Sequence, residues 1–398
     1  MNSYKLKDLL SIKNGKDHKE LNDGNIPVFG SGGIMRYGDQ AIFEDESILL
    51  PRKGTLSNIQ YVNEPFWTVD TIYYSVVNKK LANPFYLFNY LKSLDLSNLN
   101  SGTGVPSMTF NSYYDLHVKL PDLPIQKSIA KVLSDLDAKI ELNNRINREL
   151  EAMAKTLYDY WFVQFDFPNK QGKPYKSSGG KMVYNVELKR EIPEGWEVKN
   201  IFQCSKVQYG FPFSTENFNT EGTGFPVIRI RDILENSISN FSFEQNIDEK
   251  YLIKKGDILV GMDGNFHINY WAKDGCFLNQ RAVKLSETIL PNIYLKYQIE
   301  PFIKLREKSV SRTTVGHLSD KDLRSSSIII PSKEVLSSIS SIYNDLLKRM
   351  IQTINENQQL TELRDWLLPM LMNGQVTVKE AEERLSMAAE PSVEYKKV

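Results

Sequence analysis

SGTGVPSMTFNSYYDLHVKLP, Ser101–Pro121, has a counterpart later in the same chain: SRTTVGHLSDKDLRSSSIIIP, Ser311–Pro331. Ser101 stands opposite Ser311, Thr103 opposite Thr313, Val105 opposite Val315 and Pro121 opposite Pro331, each pair 210 positions apart. Each copy runs directly into a stretch with helical periodicity. A segment written twice at this distance marks a chain built from two copies of one plan, and such a repeat decides the architecture.

Followed outward, the same offset relates Gly102–Phe162 to Arg312–Met372 without a gap. Ser128 meets Ser338, Ile129 meets Ile339, Asp135 meets Asp345, Leu136 meets Leu346, Asn147 meets Asn357, Leu150 meets Leu360 and Leu157 meets Leu367. Upstream it pairs SILLPRKG (Ser47–Gly54) with DILVGMDG (Asp257–Gly264). Further upstream the offset shrinks: IPVFGSGGI (Ile26–Ile34) aligns best with FPVIRIRDI (Phe225–Ile233), and KLKDL (Lys5–Leu9) with EVKNI (Glu197–Ile201). The pattern divides the chain into a first mixed domain (1–122), a first long helix (123–165), a linker (166–190), a second mixed domain (191–331), a second long helix (332–373) and a tail (374–398) outside the repeat.

The mixed domains read as short strands between turns. ESILLPRKG, IQYV and TIYYSVV are rich in Ile, Val and Tyr, the composition of half-buried strands. NPFYLFNYLKSL and PNIYLKYQIEPFIKL carry helical spacing, one in each copy. The fold class is α+β, two pseudo-repeated domains joined by two long helices.

In the first long helix Ile129, Leu136, Asn143, Leu150 and Leu157 recur every seven residues, with Leu133, Ile140, Asn147 and Ala154 on the complementary seam. The second repeats this with Ile339, Leu346, Thr353, Leu360 and Leu367, and with Tyr343, Met350, Asn357 and Arg364. That is a coiled-coil heptad pattern. Roughly 38 residues at ~1.5 Å each make a helix ~55–60 Å long. A lone helix of this kind leaves an apolar seam in water, and the other copy is the nearest partner, so the expectation is an antiparallel coiled coil about a pseudo-two-fold axis. The competing arrangement packs each helix on its own domain. Asn143, Asn147, Thr353 and Asn357 fall mid-seam, either as a polar layer that fixes register or as partly exposed positions.

Bulk composition narrows the function. The 398 residues carry 49 Lys+Arg against 49 Asp+Glu, which argues against coating nucleic acid by bulk electrostatics but leaves base reading through a few side chains open. Two cysteines, Cys204 and Cys276, make no disulfide framework and point to a reducing, cytoplasmic setting. Four scattered histidines (His18, His117, His267, His317) offer no metal-ligand spacing. No apolar run reaches the ~18–20 residues that span a bilayer, and MNSYKLKDLL has no secretory core.

Two similar but different domains on a rigid spacer suit two DNA half-sites separated by unread base pairs, since elements ~34–36 Å apart address one face of the duplex. The candidate reading residues sit in loops. In the first copy they are Gly30, Ser31, Gly32 and Arg36 in GSGGIMR, Arg52, Lys53 and Thr55 in PRKGTLSN, and Thr103. In the second they are Arg229 and Arg231 in RIRD, Asp263 and Asn265 in MDGNFH, Asn279, Gln280 and Arg281 in NQR, and Arg312, Thr313 and Thr314 in SRTT. Glycine allows close backbone approach, Arg suits guanine or phosphate, and Asn or Gln suits adenine.

The chain resembles the specificity subunit of type I restriction–modification systems over essentially its full length. The resemblance is carried by the domain–helix–domain–helix repeat, by the helix openings LPDLPIQKSIAKVLSDLDAKIELN and IIIPSKEVLSSISSIYNDLLKRM, by LYDYWFVQFDFPNKQGKPYKSSGGKMVYNVELKREIPEGWE (Leu157–Glu197), and by PVFGSGGI, PRKGT and PFWTVDT near the N-terminus. It implies that 1–122 and 191–331 are target recognition domains, each binding one half of an asymmetric bipartite site in double-stranded DNA. It implies that the helices dock two modification (methyltransferase) subunits, that two restriction (motor-nuclease) subunits complete the assembly, and that this chain is not itself an enzyme. S-adenosylmethionine would lie on the modification subunits and ATP with Mg²⁺ on the restriction subunits, with no cofactor on this chain. The second domain lacks the GSGG loop of the first.

Other readings are weaker. PVFGSGGI is a glycine-rich loop of the kind that can hold S-adenosylmethionine, but Asn83-Pro84-Phe85 lacks the second proline of an adenine methyltransferase motif. No phosphate-binding loop of the Gly-x₄-Gly-Lys-Ser/Thr form is present. The aromatic cluster Tyr158, Tyr160, Trp161, Phe162, Phe165 and Phe167 fits packing at a helix end, against the second domain or a partner, better than a stacking platform for single strands. The alternative class of function is a coiled-coil scaffold whose globular ends bind proteins.

Overall fold

Two long helices dominate the secondary structure, Leu123–Tyr158 and Lys333–Met372. The computed structural model describes residues 1–94, 96, 106–309 and 316–389. Thr103, Arg312, Thr313 and Thr314 lie outside the described residues. The chain forms two units, one of Met1–Ile140 with Gln359–Val398 and the other of Glu141–Gln358.

The two units share a common strand plan, although one sheet has three strands in the first unit and five in the second. In the first, a four-stranded sheet runs Leu10–Asn14, Ile72–Val77, Ser47–Pro51, Gln60–Val62. In the second, the order is Lys206–Tyr209, Ala282–Ser286, Ile258–Gly261, Ile268–Tyr270, all antiparallel as in the first. A parallel pair recurs in the other sheet of each unit: Val28 lies beside Trp67, and Val227 beside Phe277. A terminal strand pair closes each domain, Asn2–Lys5 with His117–Leu120 and Glu197–Lys199 with Ile328–Ile330. The sequence alignment of Ile26–Ile34 with Phe225–Ile233 keeps the strand register. The pairing of KLKDL with EVKNI is three residues out, because the short helices Leu6–Leu9 and Ile201–Cys204 are preceded by Lys5 and Asn200 as N-caps. Fewer apolar anchors in this stretch left the register weakly marked.

The strands form where apolar runs are buried on both faces. Ser47–Pro51 and Ile258–Gly261 are buried at every position, as a central strand requires. Short helices follow in matching places, and their caps match too. Thr109 accepts from the Ser112 N–H at the start of Phe110–Tyr114, and Ser319 accepts from the Asp322 N–H at the start of Asp320–Arg324, each satisfying a first-turn donor.

The core of the first unit gathers Ile129, Leu133 and Leu136 from the opening of the first long helix with Leu360, Leu367 and Leu371 from the close of the second. The core of the second unit gathers Ala154, Tyr158 and Phe162 from the close of the first helix with Ile339, Tyr343 and Met350 from the opening of the second. In the first unit Arg364 Nη1 donates to Asp137 Oδ1 at 2.9 Å. In the second, Asn143 Nδ2 donates to Glu356 Oε2 at 3.0 Å, Asn357 Nδ2 to Asn144 Oδ1 at 2.8 Å, and the Tyr343 hydroxyl to the Ala154 carbonyl at 3.3 Å. Within the second unit, 143–144 of the first helix meet 356–357 of the second and 154 meets 343, so the helix segments there run antiparallel. Each helix also packs on domain residues, so both arrangements weighed from sequence contribute. Asn143 is buried, whereas Asn147, Thr353 and Asn357 are half-buried, so one seam asparagine is a buried polar contact and the rest lie at the margin.

The first long helix ends in a wide turn, Asp159–Val163. Trp161, Phe162, Phe165 and Phe167 then enter the second unit's core around Trp196. Phe167 stacks on Trp196 at 5.2 Å between ring centroids, and Tyr160 alone of the cluster is exposed. The aromatic cluster is therefore packing within the second unit. The tail forms a helix, Val378–Ala389, whose Ala381 is buried in the first unit's core with Leu385 packed beside it.

Candidate nucleic-acid interface

The loops singled out in the two copies are held by the same bonds. In the first unit the Arg52 N–H donates to the Thr71 carbonyl, the Met108 N–H to the Arg52 carbonyl and the Gly54 N–H to the Pro106 carbonyl, each at 3.0 Å. In the second unit the Met262 N–H donates to the Arg281 carbonyl at 3.0 Å, the Leu318 N–H to the Met262 carbonyl at 2.7 Å and the Gly264 N–H to the Gly316 carbonyl at 2.9 Å. Every residue in the second set is 210 positions beyond its counterpart. Isolated bridges repeat the relation, Lys53 with Ser107 and Asp263 with His317. The turn needs a left-handed residue, which Gly54 (φ 89°) and Gly264 (φ 70°) supply.

Side chains on this shared frame differ. In the first unit Gly30 and Gly33 close a tight hairpin between Asp23–Gly30 and Gly33–Gly38. The Ser31 N–H donates to Thr71 Oγ1 at 3.3 Å, Asn58 Nδ2 donates to the Ser31 carbonyl at 2.6 Å, and Gln60 Nε2 donates to the Gly30 carbonyl at 3.3 Å. A side chain at Gly54 would start 3.3 Å from Ser31 Oγ, so Gly30, Ser31 and the Arg52–Gly54 turn are brought together. Arg52 Nη1 donates to the Asp70 carbonyl at 3.2 Å and lies 6.0 Å from the centre of the Tyr73 ring. It lines a shallow pocket with Asn14, Thr109 and Asn111. Burial pushes the Tyr73 phenol above its ordinary pKa, and the Arg52 charge pulls the other way. Gly32, Lys53 and Thr55 are exposed. Arg36 is not part of this group: its guanidinium donates to Asp23 Oδ1 at 2.8 Å and to the Leu21 carbonyl at 3.2 Å.

In the second unit a short helix, Ile230–Ile233, takes the place of the glycine hairpin turn. Arg229 and Arg231 thereby stand where the first unit has Gly30 and Gly32. One pocket collects Arg229, Arg231, Asp263, Asn265, Asn279 and Arg281 together with His267. Arg229 Nη1 and Arg231 Nη2 both donate to Asn240 Oδ1, at 3.1 and 2.6 Å. Arg281 Nη1 meets Asp263 Oδ2 at 3.1 Å, and His317 Nδ1 meets Asp263 Oδ1 at 2.6 Å. Gln280 is exposed beside them. The sequence reading missed Asn58, Gln60, Thr71, His267 and His317. The 210-residue offset was the signal for two of them, since it pairs Thr71 with Arg281 and Ser107 with His317.

Cationic and amide side chains above a glycine-bearing turn, duplicated on one frame, suit contact with phosphates and base edges. A family model, the type I restriction modification DNA specificity domain, matches residues 1–152 and 193–363. The chain belongs to that family. The match falls in two blocks, as the internal repeat does, and membership gives this specificity subunit a DNA-recognition role with no catalysis of its own. It is 26% identical over 358 residues to the type I restriction enzyme MjaIX specificity subunit of Methanocaldococcus jannaschii, covering 85% of this chain and 79% of that one. It is 25% identical over 368 residues to the HindI specificity subunit of Haemophilus influenzae, covering 75% of this chain and 79% of that one. The crystal structure of a type I restriction-modification S subunit from M. genitalium shares the fold, with a TM-score of 0.59 and 17% identity over 93% of this chain and 95% of that chain. Among the described residues no group of three or more His, Cys, Asp or Glu side chains is placed to hold a metal ion, and no helix is long and apolar enough to cross a membrane.

Proposed function

We propose that 1–122 and 191–331 are target recognition domains that each read one half of an asymmetric bipartite site in double-stranded DNA, with the paired helices setting the unread spacer. The observation that carries this reading is the duplicated loop frame with unlike side chains: Gly30 against Arg229, Lys53 against Asp263, Thr71 against Arg281. Equivalent frames favour equivalent docking on a duplex, and unlike side chains favour unlike bases. The contacts come from Gly30, Ser31, Gly32, Arg52, Lys53 and Thr55 in the first domain, and from Arg229, Arg231, Asp263, Asn265, Asn279, Gln280 and Arg281 in the second. Thr103, Arg312, Thr313 and Thr314 belong to the same proposal, since they lie in sequence just before Pro106–Met108 and Gly316–Leu318, the segments bonded to these turns.

In this reading the helices dock two modification subunits, and two restriction subunits join them. S-adenosylmethionine belongs to the former, ATP and Mg²⁺ to the latter. A chain with zero formal net charge leaves much of the phosphate neutralisation to those partners.

The test is to co-express the chain with its cognate methyltransferase and map modified adenines across the host genome. A two-part asymmetric motif with a fixed gap is the expected result. A stable complex that modifies no defined motif would overturn it and favour a protein-binding scaffold.

A further inference from the structure

We propose that Arg281 reads a guanine in the half-site of the second domain, with Asp263 as its positioning residue and His317 as the clasp that fixes Asp263. The inference rests on the two-domain reading above and goes beyond it by assigning a base type and a role to each of three side chains.

Arg281 is an exposed cation of its pocket, with a side chain 61% exposed, whereas the Asp263 side chain behind it is only 22% exposed. Asp263 Oδ2 lies 3.1 Å from Nη1. Among the described residues nothing else holds the Nη2 and Nε donors, and two parallel donors of this kind match the O6 and N7 acceptors of guanine. A carboxylate behind a guanidinium removes rotamer freedom that binding would otherwise have to remove. Asp263 is itself fixed at both oxygens, because His317 Nδ1 lies 2.6 Å from Oδ1. The Leu318 N–H, one residue on, is bonded to the Met262 carbonyl at 2.7 Å, so the clasp is anchored by backbone on both sides.

The other two arginines are differently employed. Arg229 and Arg231 converge on one oxygen, Asn240 Oδ1, and Arg229 lies 5.8 Å from the centre of the Phe218 ring. They form a braced cationic wall suited to a phosphate. The first domain has no counterpart of the device. Its equivalent positions are Lys53, Thr71 and Ser107, and Thr71 Oγ1 accepts from the Ser31 N–H.

The experiment uses the complex with the cognate methyltransferase and duplexes carrying the mapped site, with each base pair of the second half-site varied in turn. Competition binding is measured for the wild type, Arg281→Gln, Arg281→Lys and Asp263→Asn at several salt concentrations. Arg281→Gln is expected to lose about 10- to 100-fold affinity for the cognate guanine and to relax discrimination at that one position. Arg281→Lys keeps the charge and should relax the same position, since an ammonium is a point donor. Asp263→Asn should weaken selectivity there and nowhere else. Discrimination in the first half-site, read on the same molecules, reports that each variant is folded. Uniform weakening across sequences with a shallower salt slope would make Arg281 a phosphate contact and overturn the proposal. So would a second half-site without guanine. A wild-type complex that selects no bipartite site would instead sink the two-domain reading on which the proposal stands.

Discussion

His317 Nδ1 lies 2.6 Å from Asp263 Oδ1, and these two residues occupy the places of Ser107 and Lys53, which make the same backbone bridge in the first unit. The duplicated frame thus survives a complete change of side-chain chemistry. Its strength resides in backbone bonds and in the glycine that lets the turn close.

That glycine can be tested in both copies. Gly54 and Gly264 have φ of 89° and 70°, where a Cβ costs ~1–2 kcal/mol. Gly264→Ala meets open space, while Gly54→Ala also brings a Cβ within 3.3 Å of Ser31 Oγ. Urea unfolding should show both variants destabilised by about 1–2 kcal/mol, with Gly54→Ala the worse. Only Gly54→Ala should impair the first half-site. Unchanged midpoints for both would mean that the turn is not closed as described.

Lys284 and Asp257 give a prediction with a pH dependence. Both are buried in the second unit, with Lys284 Nζ 4.0 Å from Asp257 Oδ2 and donating to the Lys250 and Leu252 carbonyls at 3.2 and 2.5 Å. Burial raises the Asp257 pKa above its ordinary 3.8 and lowers that of Lys284 below 10.5. The raised carboxyl contributes stability below about 3.8 that is lost as pH rises through its folded value. The lowered ammonium contributes stability above about 10.5 that is lost as pH falls through its folded value. The pair is held in place by the Lys284 bonds to the Lys250 and Leu252 carbonyls and by the Lys254 N–H donating to Asp257. Lys284→Met strands a buried carboxylate and should cost about 3 kcal/mol at pH 7. The deficit should shrink as pH falls toward the carboxylate range, and adding Asp257→Asn should recover much of it. Denaturant midpoints across pH measure this, and a deficit that does not vary with pH would refute it.

The repeat, the two helices and strands such as Ser47–Pro51 were legible in sequence because apolar residues recur at fixed spacing, whereas the strand order emerged only from the fold. Arg36 shows the limit. Its place after a glycine loop suggested a reader, and its bond to Asp23, thirteen residues earlier across the hairpin, is a contact set by cross-strand register that the sequence did not show. Asn240 was illegible for the same reason. It gains its meaning from partners brought near only by the fold. The tail showed no repeat, yet Ala381 is buried in the first unit's core.

Tyr343 tests the helix pairing in the second unit. It is fully buried, and its hydroxyl donates to the Ala154 carbonyl at 3.3 Å. Tyr343→Phe should lose roughly 1 kcal/mol, the value of one hydrogen bond. Tyr343→Ala should lose about 3–5 kcal/mol, as large aromatic truncations in cores do. Equal effects from the two variants would argue that the ring is not packed against the first helix.

The helices set the spacer in the proposed function, so their length should be readable in the modified motif. Deleting one heptad from each removes seven residues, ~10 Å of helix at 1.5 Å each. That corresponds to about three base pairs at 3.4 Å per step. The genome-wide motif should keep both half-sites and change the gap. An unchanged gap would end the idea that the helices act as a ruler.

Replacing residues 1–122 with another recognition domain should alter one half-site and leave the other intact. The first unit, however, is not made of those residues alone. Leu360, Leu367 and Leu371 of the second helix and Ala381 of the tail helix share its core with Leu6, Tyr86 and Val118. A foreign domain placed on this seat meets side chains shaped for another surface, and mismatched cores lose ~1–3 kcal/mol per overpacked site. The exchange at 1–122 alone should therefore yield a less stable complex with a cleanly altered first half-site. Exchanging 359–389 as well should restore stability without further change in the motif. Thermal unfolding and adenine mapping on the two chimaeras separate these effects. If the second half-site changed in either chimaera, recognition would not be modular.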